Sequence, residues 1–363
     1  MTLRSPSTGC ALTPDTPHSL AAKGERWPVI DTIPYLRTGR EALVTEVLRA
    51  LDGGGTAEAL MLLLADQDDW WTGPCPAESD LHRLVAERDA LSLREAMALL
   101  AWGPVADYFA YRWTDPTYLA GLALLEAHWN RPATCFELAC GIGHYLRELT
   151  RRGVACTGAD VVFAKCWLAK HWIAQEADFV CFDAAADWPL TEQRFDLVHC
   201  QDAFYFLPEQ EQVAARLREA VAPGGVLAVG HLHNEAVADG ALGPAKRAAQ
   251  WRELFPDAAA YDESELLAAL LEARAPSLAD WPDGPEVEAW SVVEGGGEPR
   301  ALTGGLALPL EGVALRTNPL LPDGGPQWPS PRYEREYAAR SPWIGEEGDL
   351  ARTRRLVDLP ERW

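Results

Sequence analysis

The chain has 363 residues, 48% hydrophobic and 24% charged. Soluble domains usually run to roughly 100–200 residues, so one large domain with appendages or two modest ones will fit, and the composition excludes a disordered or fibrous chain. With 32 basic against 54 acidic residues, the formal charge of −22 repels phosphate backbones and anionic lipid, which argues against a nucleic-acid or membrane partner.

The small basic groups, Arg151 with Arg152 and Arg352 with Arg354 and Arg355, read as solvated faces. No run approaches the roughly 18 apolar residues of a membrane span. Residues 1–30 carry Pro, Ser and Thr in place of an apolar signal core, so a cytoplasmic location is expected. The eight cysteines show neither a CxxC pair nor zinc-site spacing and read as reduced, mostly buried small residues. Most of the fifteen tryptophans belong to the core, with a few free to line a cavity for a flat or cationic ligand.

After a loose start, residues 40–130 read as helices. "EALVTEVLRAL" and "TAEALMLLLADQ" carry apolar residues at helical spacing on either side of the breaker "DGGG". Ser92 and Glu95 stand in capping-box register, and Asp115 with Pro116 reads as an N-cap followed by proline at the first helical position.

From Thr134 short strand-like runs alternate with amphipathic helices. The strands are "TCFELA" (134–139), "VACTGAD" (154–160), "DFVCFD" (178–183), "FDLVHC" (195–200) and "GVLAVG" (225–230). Between them lie "HYLRELTRRG", "AKCWLAKHWIAQ" and "EQEQVAARLREAVA". Such alternation predicts an α/β fold with a parallel sheet, right-handed crossovers and a ligand site at the carboxyl ends of the strands.

Two further helices, "GPAKRAAQWRELF" and "ESELLAALLEA", precede the strand-like runs "VEAWSVV" and "GVALRTN", which the glycine-rich connector between them suggests pair as a long hairpin at the sheet edge. Beyond Asn318 the chain is Pro-rich and aromatic. Trp328, Tyr333, Tyr337, Trp343 and Trp363 make it an extension packed on the core, not a free tail.

The chemistry gathers at the strand ends. "ELACGIG" (137–143) takes a strand through glycines into a helix, where backbone N–H groups and a ligand can approach closely. Asp160 then ends the second strand, where a carboxylate can accept both ribose hydroxyls, and Asp183 ends the third, where it can take an exocyclic amine.

With these motifs, residues 134–234 resemble the class I S-adenosylmethionine-dependent methyltransferases, the Rossmann-like seven-stranded family with a mostly parallel sheet and helices on both faces. The resemblance implies S-adenosylmethionine as cofactor. It places the methionine end on Glu137 and the turn containing Ala139, Gly141 and Gly143, the ribose on Asp160 with Val161, and the adenine on Asp183 with Ala184. Cys200 and Gln201 would flank the methionine portion and the methyl group. Ala139 stands where many members have the first glycine. A dinucleotide fingerprint would need a third glycine at position 146, which is Leu, so a dehydrogenase is the weaker reading.

Methyl transfer needs alignment of a nucleophile and management of one proton. Asp202, Tyr205, His231 and His233 follow the fourth and fifth strands and are the catalytic candidates. Either histidine can be a general base or a structural hydrogen-bonder. Asp202 can hold a substrate group or cap the next helix, and with the two histidines it could bind a divalent metal, although no metal is expected. His144 reads as local to the glycine turn and His171 as a packing residue.

The expected organisation is a helical lid or substrate module at 1–113, an S-adenosylmethionine-binding methyltransferase domain at 114–318, and an aromatic extension packed on the core at 319–363. The expected activity is methylation of a small-molecule acceptor at O or N in specialised-metabolite (natural product) biosynthesis. A protein or peptide methyltransferase and a non-catalytic cofactor-binding scaffold are the alternatives, and the oligomeric state is left open.

Overall fold

A computed structural model describes residues 2–190, 192–237, 245–282, 284–323, 325–349 and 352–363. The first departure from the sequence reading is at the start. Residues 13–34 form a four-stranded antiparallel sheet: β1 (Thr13–Thr16), β2 (Ser19–Ala22), β3 (Glu25–Ile30) and β4 (Ile33–Pro34). Two-residue turns close it, with left-handed backbone at Lys23 and Gly24 and again at Asp31 and Thr32. Paired positive φ values suit the right-handed twist of a hairpin. Lys-Gly and Asp-Thr are weak sequence signals for that turn, and prolines at 14, 28 and 34 hid the strands.

The helices that follow match the sequence pattern: α1 (Glu41–Asp52), α2 (Thr56–Ala65), α3 (Glu78–Glu87), α4 (Leu93–Leu99), α5 (Pro104–Tyr111) and α6 (Pro116–Ala127). Ser92 and Glu95 form the capping box on α4, with Ser92 N–H donating to Glu95 Oε2 at 2.8 Å. Asp115 caps α6 by accepting from Tyr118 N–H at 2.6 Å. Every residue of α6 is buried, as in a core helix apolar on all sides.

The alternating region gives β5 (Thr134–Leu138), α7 (His144–Thr150), β6 (Ala155–Asp160), α8 (Phe163–Leu168), β7 (Asp178–Cys181), β8 (Phe195–Gln201), α9 (Gln210–Ala220) and β9 (Val221–His233). After α8 the chain continues as a π-helical turn through Ile173. Next come α10 (Ala248–Leu254), β10 (Ala259–Asp262), α11 (Glu263–Glu272) and β11 (Ala289–Glu294). The helix read from Gly243 begins only at Ala248, and Gly243 and Pro244 lie outside the described residues.

The large sheet has seven strands in the order β10-β11-β9-β8-β5-β6-β7. The β6–β7 and β8–β9 pairs are parallel, whereas β11 runs antiparallel to both β9 and β10. This is an α/β fold with a mostly parallel sheet.

The hairpin expected between "VEAWSVV" and "GVALRTN" does not form. β11 lies between β9 and β10, and the second run supplies only β12 (Arg316–Thr317), which pairs after α12 (Pro331–Tyr337) with β13 (Leu356–Val357). The exchange follows from burial. Ala289–Val293 are all buried, as an interior strand must be, while Arg316 and Thr317 are exposed. The four-residue β10, "AAYD", carried too little β-branched character to be read as the partner.

The chain divides into two compact units: Met1–Ala106 with Phe136–Arg194 and Pro360–Trp363, and Asp107–Cys135 with Phe195–Leu359. In the first unit Leu36 N–H donates to Cys181 O at 2.7 Å, so the segment after β4 runs along β7. The chain end is tied down there. Arg362 donates to the carbonyls of Arg88 and His171, and its guanidinium lies 4.7 Å from the Trp172 ring centroid. In the second unit Tyr333, Tyr337 and Trp343 of the aromatic segment are buried. Cys135, Cys140, Cys156, Cys166, Cys181 and Cys200 are buried and in no disulfide. Among the described residues no helix is long and apolar enough to cross a membrane.

Candidate functional site

In the first unit the turn after β5 is held in shape by its own backbone. Cys140 N–H donates to Ala159 O at 2.9 Å, and Gly143 N–H to Cys140 O at 2.9 Å. Ala139 (φ 54°), Gly141 (φ 53°) and Gly143 (φ 81°) all adopt left-handed backbone. A Cβ on Gly143 would sit 3.2 Å from the Ala169 Cβ, so both the tight contact and the positive φ favour glycine there.

Asp160, 4% exposed, is the anchor of the turn. Its Oδ2 accepts from Gly141 N–H at 3.1 Å, its Oδ1 accepts from Val162 N–H at 3.0 Å, and Lys165 Nζ stands 3.3 Å from the same oxygen. Glu137 is buried near the end of β5. Asp183, half-buried beyond β7, accepts from Ala185 N–H at 2.9 Å, and Ala184 is buried beside it, its carbonyl taken by the Trp188 indole. Val161 is half-buried, and its carbonyl accepts from Cys181 Sγ at 3.4 Å. His144 is buried at the start of α7. His171 bonds Asp31 at 2.9 Å, a packing role that agrees with the sequence reading.

Ala139 is the residue out of register with its backbone. An L side chain in this region costs roughly 1–2 kcal/mol. Ala139→Gly is therefore expected to stabilise the chain by about 1 kcal/mol, read as a higher urea midpoint. A lower midpoint would show that the alanine methyl is doing packing work that outweighs the strain.

In the second unit a polar cluster forms where β8 and β9 end. Asp202, its side chain 7% exposed, has left-handed backbone (φ 53°) and so does His231 (φ 61°). Asp202 Oδ2 accepts from Tyr108 O–H at 2.7 Å and Arg112 Nη1 at 2.8 Å, while Oδ1 has longer contacts to Tyr205 O–H at 3.4 Å and His231 Nε2 at 3.7 Å. Strained backbone at two adjacent polar residues is an observation that points to function. Arg112 also pairs with the buried Asp115 at 2.9 Å. Asp202 is thus an ion-pair partner and caps no helix.

The two histidines separate. His231 is buried, and its Nδ1–H donates to Glu263 Oε2 at 2.8 Å. Burial alone would lower its pKa, but Glu263 and Asp202 outweigh burial and hold it above the usual histidine value. His233 is pulled down to about 4 by burial and by the charge of His231. Its ring packs on Tyr205 (4.3 Å between centroids) and His231 (4.4 Å), and its nitrogens carry no hydrogen bond among the described residues. His231 is thus the ring biased toward the cation, and His233 is the neutral ring at neutral pH, with one nitrogen lone pair available. Burial pushes the Asp202 and Glu263 carboxyls up, yet Arg112 with His231, and His231 with Arg340, bring each below its ordinary value.

Cys200 and Gln201 are the last residues of β8, both buried. The Gln201 Nε2 amide is buried with no acceptor among the described residues, a donor left for a ligand. Gly230 makes room for it, since a Cβ there would fall 1.9 Å from Gln201 Oε1. Among the described residues no group of three or more His, Cys, Asp or Glu is placed to hold a metal ion.

Sequence reasoning missed Tyr108, Arg112, Asp115 in its ion-pair role, Glu263 and Arg340. The i,i+3 pair Arg112–Asp115 was a visible signal. Arg340 left none, because it reaches Glu263 from 77 residues away.

Residues 136–229 match a family model described as a methyltransferase domain. This stretch is a methyltransferase domain. The match runs from β5 into β9 and includes the glycine turn between β5 and α7. Trans-aconitate 2-methyltransferase of Variovorax paradoxus is 32% identical over 133 residues, 36% of this chain and 50% of that enzyme. The chain thus spans about half the length of that curated relative.

Among solved structures, a TehB-like methyltransferase from Corynebacterium glutamicum is similar at 20% identity, covering 48% of this chain and 85% of that one, with a TM-score of 0.35. An amino pentose methyltransferase from Micromonospora echinaspora, CalS10, is similar at 26% identity over 33% of this chain and 53% of that one, with a TM-score of 0.30.

The cofactor of the methyltransferase domain's family is S-adenosylmethionine. The residues of the first unit fit it: left-handed glycines open the turn, and carboxylates stand at the end of β6 and beyond β7.

Proposed function

We propose that the chain transfers a methyl group from S-adenosylmethionine to an oxygen or nitrogen of a small molecule, in specialised-metabolite biosynthesis. Glu137 and the Ala139–Gly143 turn take the methionine end, Asp160 and Val161 the ribose, and Asp183 and Ala184 the adenine. Cys200 and Gln201 flank the methionine portion. When bound, the cofactor supplies a methyl carbon made electrophilic by its sulfonium.

Asp202 Oδ1, whose own contacts are long, accepts a hydrogen bond from a donor group of the acceptor molecule next to the reacting atom and so holds the molecule in place. His233, neutral at working pH, takes the proton released as the new bond forms. Arg112, with His231 beside it, holds the Asp202 carboxyl below its ordinary value.

The observation that carries the small-molecule reading is the enclosure of Asp202. Tyr108, Arg112, Tyr205 and His231 ring a carboxylate only 7% exposed, too deep for a polypeptide segment. A second reading is favoured by the 32% identity to trans-aconitate 2-methyltransferase: a carboxylate oxygen, which carries no proton to remove.

Label transfer from methyl-labelled S-adenosylmethionine to a panel of amines, aminosugars, phenols and trans-aconitate tests both. For a hydroxyl acceptor, His233→Asn is expected to slow turnover by about 100-fold or more. The wild-type rate should stay level through neutral pH and fall as pH drops toward about 4, where His233 takes up its proton. A carboxylate acceptor would leave the His233→Asn rate unchanged. Label found only in added polypeptide, or in nothing, would reject the small-molecule reading.

A further inference from the structure

His231 is held from several elements at once. Glu263, the first residue of α11, accepts its Nδ1–H at 2.8 Å. The same Glu263 oxygen accepts from Arg340 Nη2 at 2.8 Å, and Ser291 Oγ of β11 lies 3.5 Å from the other oxygen. Arg340, just beyond α12, also pairs with Glu288 at 2.9 Å and donates to Thr117 Oγ1 at 3.2 Å. On the far side of the ring Nε2 faces Asp202 at 3.7 Å.

A carboxylate bonded to one imidazole nitrogen fixes the tautomer and the direction of the other. Burying an ionisable pair as deep as Glu263 and His231 is a poor source of stability, since apolar residues of similar volume would often serve as well. The arrangement is better explained by what it orients.

We propose that Glu263, itself fixed by Arg340 from the C-terminal segment, is the positioning residue of the acceptor site, holding the His231 ring so that Nε2 stays on Asp202 and the ring stays packed on His233. This rests on the acceptor-site reading given under Proposed function. The charged and titratable groups facing His231 are Glu263, Asp202, Tyr205, His233 and Arg340, with Arg112 behind Asp202 and Glu288 behind Arg340. Removing Glu263's charge takes away the nearest anion. Removing Arg340 frees Glu263 to move.

The test is a nitrogen NMR titration of the full chain labelled in histidine, with His231 assigned from His231→Asn. Folding is read by urea, and cofactor binding by calorimetry with S-adenosylhomocysteine. Glu263→Gln is expected to lower the His231 midpoint by about one pH unit or more. Arg340→Ala should speed solvent exchange of the Nδ1 proton, and Arg340→Lys should restore its protection. An unmoved His231 midpoint in folded Glu263→Gln, or unchanged exchange in folded Arg340→Ala, overturns the positioning role. A wild-type chain that gives no heat with S-adenosylhomocysteine overturns the functional reading instead, and the His231 titration then still decides the Glu263 contact.

Discussion

Arg112→Ala is expected to lower the stability of the chain by about 3–5 kcal/mol, seen as a lower urea midpoint at neutral pH. Arg112 is 3% exposed and is shared by two carboxylates, Asp115 at 2.9 Å and Asp202 at 2.8 Å, with its guanidinium 4.8 Å from the Tyr108 ring centroid. Its loss strands two buried charges.

The effect has a pH signature. Burial already raises the Asp115 carboxyl against the pull of Arg112, whereas Asp202 is held low largely by Arg112. A lowered folded pKa contributes stability that is present above the unfolded value, roughly 4, and is lost as pH falls through the folded value. In the variant both carboxyls rise, so protonation relieves the defect. The gap between wild type and Arg112→Ala should widen from pH 4 to 7 and close in acid. A gap that does not change with pH would mean that lost packing, not stranded charge, is the cause.

Asp160→Ala is expected to abolish the heat of S-adenosylmethionine or S-adenosylhomocysteine binding. Hydrogen bonds to a charged group are worth about 1.5–3 kcal/mol each, so losing two to a ribose weakens binding by at least about 100-fold. The variant also removes the acceptor for Gly141 N–H and Val162 N–H, which shape the turn. Asp160→Asn keeps one acceptor oxygen and should fall between the two. Full affinity in a folded Asp160→Ala chain would move the ribose elsewhere.

Local signals carried the middle of the chain. The strand, glycine-turn and helix rhythm of 134–233 rests on neighbours in sequence, and β5 through β9 fall where that rhythm places them, with β9 extended at both ends to Val221 and His233. Caps behaved likewise, because Ser92 with Glu95 and Asp115 with Tyr118 are contacts three residues apart. What was illegible was long-range. The partner of β11 depends on which strand can be buried on both faces, and the opening sheet depends on hairpin turns without their usual residues.

The cluster divides along the same line. Asp202, Tyr205, His231 and His233 were visible as polar residues following apolar strands. Their partners Arg112, Glu263 and Arg340 arrive from distant segments. Which histidine titrates higher could not be read without them, since Glu263 and Asp202 raise the His231 pKa against burial, whereas burial and then His231 lower that of His233.

The glycine turn and Asp160 together form the proposed cofactor cradle. A crystal structure of the full chain with S-adenosylhomocysteine tests that most directly. It should show the ribose hydroxyls on Asp160 and the amino-acid end against the Ala139–Gly143 turn, with Lys165 displaced from the Asp160 carboxylate. A ligand bound elsewhere, with Asp160 still closed on Gly141 and Lys165, would contradict it.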